Sequence, residues 1–159
     1  MYSVADISQH LEQILTALRP LVESRALSIN DPTRENTSDN ACGAIGRIIL
    51  ATPHLVPLAH VLPVFITGLP LVKDFLEYAP VVEALLMVVR DNLAEVNLTW
   101  LLGFLADTCG DYERKTLVLT GEFLSRMASL NGESWNSLLA SIGAEKAEKL
   151  KALVSPQQH

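Results

Sequence analysis

Residues 31–53 read Asp31-Pro-Thr-Arg-Glu-Asn-Thr-Ser-Asp-Asn-Ala-Cys-Gly-Ala-Ile-Gly-Arg-Ile-Ile-Leu-Ala-Thr-Pro53. The stretch opens on an N-cap residue followed by proline at the first helical position, and it closes on Thr52-Pro53. It therefore reads as one helix running to about Ala51. Ala41, Ala44, Ile45, Ile48 and Ile49 fall on its buried face, with Asn36, Asn40, Gly43 and Arg47 as a polar or small stripe beside it. Gly43 and Gly46 suit close helix packing; two small residues on a helix make no nucleotide site.

The same grammar extends outward. Upstream, Ser3 and Asp6 form a capping pair for a helix over about Val4 to Ser24, whose Ile7, Leu11, Ile14, Leu15, Leu18 and Val22 repeat at helical spacing. Pro20 is expected to bend or divide it. Arg25 to Asn30 shows no clear period. Downstream, helices are expected over about Leu58 to Leu69, with Pro63 inside, and Lys73 to Arg90, with Pro80 inside. Two more cover about Leu93 to Cys109, ended by Gly110, and Tyr112 to Leu130, capped by Asp111. Two short helices close the chain, one carrying Trp135, Leu138, Leu139 and Ile142, the other running from about Ala144 to Val154 with Glu145 and Lys149 four apart. Beta signals are scarce, since Asn131-Gly132 lies between helical runs rather than between alternating strands.

The second helix of each expected pair begins near Thr33, Lys73 and Glu113, a recurrence of about 40 residues, which is the period of HEAT-type helix pairs. Leu18-Arg-Pro-Leu21 and Val61-Leu-Pro-Val64 both place a proline inside an apolar first helix. Wide apolar faces such as Val81 to Val89 suit a closed bundle as well as a solenoid, and the period favours the solenoid. The expected fold is all-α: an α-solenoid of about three to four antiparallel HEAT pairs in one segment, residues 1–159. The repeats are placed near 3–52, 57–91 and 92–130, with a C-terminal cap at 132–154.

Composition narrows the function classes. With 49% hydrophobic residues among 159, there is enough apolar surface to order the chain. A net charge of -6 argues against direct nucleic-acid binding and suits a basic partner, although mild acidity also serves solubility. Cys42 and Cys109 sit in apolar helical patterns, the habit of reduced thiols in cytosol or nucleus, and Met1 to Asp6 lacks the features of a secretory signal. Residues 48–72 carry no Asp, Glu, Lys or Arg, yet Pro53, Pro57, Pro63, Pro70, His54 and His60 speak against a membrane span. His10, His54, His60 and His159 show no ligand spacing with either cysteine, so no metal site is expected. The sequence holds no Gly-x-Ser-x-Gly elbow, phosphate loop or His-Glu-x-x-His helix, and no enzyme activity or cofactor is expected.

Arg34 to Arg47 resembles the second helix of a late HEAT repeat in karyopherin-β nuclear import receptors. Val61 to Phe75 is similar to that family's Val-Leu-Pro, Leu-Pro-Leu and Lys-Asp-Phe signature, and Trp135 to Leu153 resembles the extreme C-terminus of the importin-four branch. Where the family often has an acidic run after Phe75, this sequence has Leu76-Glu77-Tyr78. The resemblance implies the C-terminal end of a longer receptor that shuttles between cytoplasm and nucleus and carries basic cargo of the histone or ribosomal-protein type. The family's Ran-GTP contact lies chiefly in N-terminal repeats that this chain would lack.

Second helices line the inner face of a solenoid, so cargo contacts are sought there at Glu35, Asn36, Asp39 and Asn40, and at Asp74, Glu77, Tyr78 and Glu83 on the next such helix. Carboxylates pair with Lys or Arg, Asn bonds an extended backbone, and Tyr78 presses on a lysine stem. The plainer roles are helix-dipole capping for Glu35 and Asp39, and solvated charge for the rest. Trp100 is either a recognition residue or a helix spacer, and Trp135 is expected to anchor the cap. A second function class remains open: a scaffold or regulatory subunit that takes partner helices in apolar grooves.

Overall fold

In the computed structural model, which describes residues 4–27 and 30–154, Asp31 caps the helix as its position demands. Its carboxylate accepts the N–H groups of Thr33 at 3.2 Å and Arg34 at 3.3 Å, and helix α2 runs Pro32–Ala51. The other helices are α1 (Val4–Glu23), α3 (Leu58–Thr67), α4 (Tyr78–Arg90), α5 (Leu98–Thr108), α6 (Arg114–Asn131), α7 (Glu133–Ser141) and α8 (Ala144–Val154). Three short 3-10 turns, Ser24–Leu27, Phe75–Glu77 and Cys109–Asp111, lie between them. The described residues contain no strand, and the all-α fold of helix hairpins expected from the sequence is the fold observed.

Several helix starts fall later than the apolar periodicity suggests. The fourth helix begins at Tyr78 rather than Lys73; the N–H groups of residues 71–74 are bound by side chains and residues 75–77 form a 3-10 turn. The fifth begins at Leu98 rather than Leu93, where the Asn97 side chain accepts the Trp100 N–H at 3.0 Å. The sixth begins after Glu113, which offers no side-chain cap; Asp111 sits in the preceding 3-10 turn. Helix α1 passes through Pro20 undivided, and Ser3 lies outside the described residues. Pro80 is accommodated in the first turn of α4, where its missing N–H donor costs no helical hydrogen bond. Gly132, at φ +49, ends α6 in a conformation that side-chain-bearing residues rarely adopt.

The chain divides into two compact units, Met1–Leu85 and Leu86–His159. In the first, a Cβ at Gly68 would meet Val22 near the end of α1 and Cys42 in the middle of α2. A small cavity is lined by Glu12, Leu15 and Thr16 of α1, Ile45 further along α2, and His60 and Val64 of α3. Hence α1 runs antiparallel to α2 and parallel to α3, the layout of one hairpin stacked on the next. Val22, Cys42, Ile49 and Phe65 are fully buried there.

In the second unit, α5 and α6 each meet α8 more extensively than they meet one another, and α7 touches all three. The buried Ala147 and Leu150 of α8 are the means. A Cβ at Gly121 of α6 would strike the Leu153 carbonyl, so only glycine allows the approach of these two helices. Lys146 and Asp107 pair at 2.6 Å on the surface. No described helix is long and apolar enough to cross a membrane.

Candidate functional site

Asp39, on α2, is fully buried, and an isolated carboxylate there would be costly. Its Oδ2 accepts three successive backbone N–H groups, from Val72 at 3.0 Å, Lys73 at 2.6 Å and Asp74 at 2.9 Å. Its Oδ1 stands 3.4 Å from Arg25 Nη1, which also donates to the Gly68 carbonyl at 2.5 Å. The Tyr78 hydroxyl, itself buried, accepts the Leu71 N–H at 3.0 Å. One carboxylate, one guanidinium and one phenol therefore fix the turn 68–74.

Two ion pairs continue this junction along α2. Lys73 Nζ lies 3.6 Å from Glu35, and Arg47 grips Glu77 with Nη1 at 2.8 Å from Oε2 and Nη2 donating to Oε1 at 3.0 Å. That hydrogen bond is the chief reason the Arg47 guanidinium is held above its ordinary value. The Glu77 carboxylate fills the space a Cβ at Gly43 would need, and a Cβ at Gly46 would stand 2.7 Å from the Pro80 carbonyl. The contacts 35 with 73, 39 with 72–74, 43 with 77 and 46 with 80 advance together, so the segment 72–80 runs parallel to α2. The close packing expected of the two glycines is met here.

The structure gathers Glu35, Asp39, Asp74 and Glu77 into one junction and sorts the eight candidates by availability. Asp39 and Tyr78 are placed inside, where their polar atoms serve the turn. Glu35 and Glu77 are largely covered and paired within the chain. Asn36 and Asn40 are exposed on α2; Asp74 and Glu83 are half-exposed and make no ion pair within 4 Å among the described residues. Leu76, in the 3-10 turn before α4, is 68% exposed, beside Phe75 at 40% and close in sequence to Val72 at 39%. The Phe75 ring stacks on Tyr78 with centroids 6.0 Å apart.

Sequence reasoning missed this apolar knuckle, and missed Arg25, which it left in a segment without period. It also missed a cavity of about 880 Å³ in the second unit, between residues 89–98 and the end of α6, lined in part by Phe123, Arg126, Met127 and Leu130. Trp100 is half-buried and stacks on Phe104 at 5.3 Å, and Trp135 is half-buried in α7. No three His, Cys, Asp or Glu side chains among the described residues group as metal ligands; His159 lies outside those residues. Burial first, then the Asp39 charge, pushes the Cys42 thiol up to about 12 against the lowering effect of Arg25, which leaves it protonated and inert.

Among curated proteins, the sequence is 33% identical over 91 residues to "Probable importin subunit beta-4" of Schizosaccharomyces pombe, a match covering 57% of this chain. It is 26% identical over 152 residues, 92% of this chain, to "Importin-4" of Homo sapiens. The chain spans 8% and 13% of the length of these two relatives. No family model matches the sequence, and no solved structure matches it.

Proposed function

We propose that the chain, similar over part of their length to two importins of the importin-4 type, belongs to that branch of the importin-β superfamily, is a cargo-binding segment of a nuclear import receptor and takes basic proteins of the histone or ribosomal-protein type. The reading makes it a binding module rather than an enzyme, at work in cytoplasm and nucleus, with Ran-GTP contacted by other repeats of such a receptor. The observation that supports it is the unspent charge on the second helices. Asp74 and Glu83 make no ion pair within 4 Å among the described residues, while Asn36 and Asn40 stand exposed on α2. Carboxylates draw Lys and Arg side chains, and the two Asn amides bond the backbone of an extended segment. Glu35, Asp39, Glu77 and Tyr78 shape this surface by holding the turn and the α2 junction.

The test is fluorescence anisotropy with a labelled Lys-rich, histone-tail-type peptide. We expect a Kd of about micromolar order at low salt that weakens several-fold as ionic strength rises. No binding at low salt would overturn the reading. A second reading, a scaffold that seats partner helices in an apolar groove, is favoured by the cavity beside Leu130, which is 70% exposed. Binding indifferent to salt would support it.

A further inference from the structure

Exposed apolar side chains are ordinary when scattered singly, but Val72, Phe75 and Leu76 are adjacent, and the backbone that carries them is fixed. Asp39 holds the amides of residues 72–74, and Tyr78 holds that of Leu71 while stacking under Phe75. Here the turn is locked by a buried carboxylate, and the knuckle stays presented to solvent, so a partner that covers it meets a surface already ordered.

What surrounds the knuckle decides the chemistry of that partner. Asp74 lies within it, between Val72 and Phe75, and Glu83 follows seven residues after Leu76, on α4; neither has an ion pair within 4 Å among the described residues. The remaining charges of the junction are already matched, Lys73 to Glu35 and Arg47 to Glu77. The net demand is thus one apolar contact together with two cations.

We propose that the Val72–Phe75–Leu76 knuckle, with Asp74 inside it and Glu83 beyond it on α4, reads an apolar anchor side chain set among Lys or Arg in the bound segment. This rests on the basic-cargo reading and deepens it: cargo is selected by a hydrophobic residue set among positive ones, not by positive charge alone. Leu76 makes the anchor contact, and the two carboxylates fix the polarity of what surrounds it.

The test uses three short fluorescein-labelled peptides and the full chain. One alternates Lys with a central Leu-Phe anchor, one has the anchor replaced by Ser, and one keeps the anchor with every Lys replaced by Gln. The anchored basic peptide should bind about ten-fold more tightly than the Ser version. Leu76→Ser, at an exposed position, should erase that difference while leaving the Ser-peptide affinity unchanged. Glu83→Gln and Asp74→Asn should weaken both basic peptides. If the two basic peptides bind alike and Leu76→Ser changes nothing, the anchor is refuted while the basic-cargo reading survives. If neither binds at low salt, that reading fails and the anchor with it. Tighter binding of the Gln peptide than of the basic one, or Leu76-dependent self-association in sedimentation, would also overturn the proposal, the latter because a second copy then covers the knuckle.

Discussion

In the first unit a buried carboxylate, Asp39, ties α2 to the 68–74 turn, whereas in the second unit α6 and α8 meet where Gly121 admits the backbone of Leu153, and the charged contacts stay on the surface. Both arrangements bring helices of successive hairpins together. The difference lies in what is lost when they are broken. Removing a buried acceptor strands several N–H groups and a guanidinium, while removing a surface partner returns a charge to water.

The sharpest break of this comparison is Asp39→Ala. It should destabilise the chain by about 3–5 kcal/mol in urea unfolding, because three amides and Arg25 lose one common acceptor. A loss below about 1 kcal/mol would mean the clamp is incidental. Next comes Gly121→Ala, whose Cβ meets the Leu153 carbonyl. Overpacking of about 1–3 kcal/mol should outweigh the helix-propensity gain of up to about 1 kcal/mol, and amide exchange should quicken in α8. Unchanged exchange there would remove glycine from the account of that junction.

A pH titration sharpens the picture of the first unit. The Cys42 thiol is pushed up to about 12 from an ordinary 9.0, so the unfolded chain loses this proton before the folded one does. Its contribution to stability is complete below pH 9 and declines as pH rises from 9 towards 12, by up to about 1.4 kcal/mol per pH unit. Cys42→Ala should flatten that slope relative to the parent; identical slopes would contradict the burial argument. The smallest effect belongs to Lys146→Ala. Its exposed pair with Asp107 should be worth less than about 1 kcal/mol and should fade in salt. A loss rivalling that of Asp39→Ala would erase the contrast between the units.

Local rules made the helices legible. Asp31-Pro32, Thr52-Pro53 and the apolar spacing of α1 and α2 placed both helices almost where they lie. They misplaced the starts of α4, α5 and α6, because periodicity reports which residues are apolar and not which amides already have partners. Asp39 shows the same limit at the site. From the sequence it is an acid two turns into a helix, read either as favouring the helix dipole or as a cargo contact. Only the arrival of residues 72–74, brought by the next hairpin, turns it into an internal acceptor. Glu35 and Glu77 follow suit, since Lys73 and Arg47 reach them from positions 38 and 30 residues away.

The division of labour among these acids is open to one direct measurement, the low-salt affinity of a Lys-rich peptide for Glu35→Gln/Glu77→Gln and Asp74→Asn/Glu83→Gln double variants, each confirmed folded by circular dichroism. The second variant should lose about ten-fold in affinity and the first less than about three-fold, because of these four acids Glu35 and Glu77 are ion-paired whereas Asp74 and Glu83 make no ion pair within 4 Å among the described residues. The reverse order, or equal losses, would contradict the account.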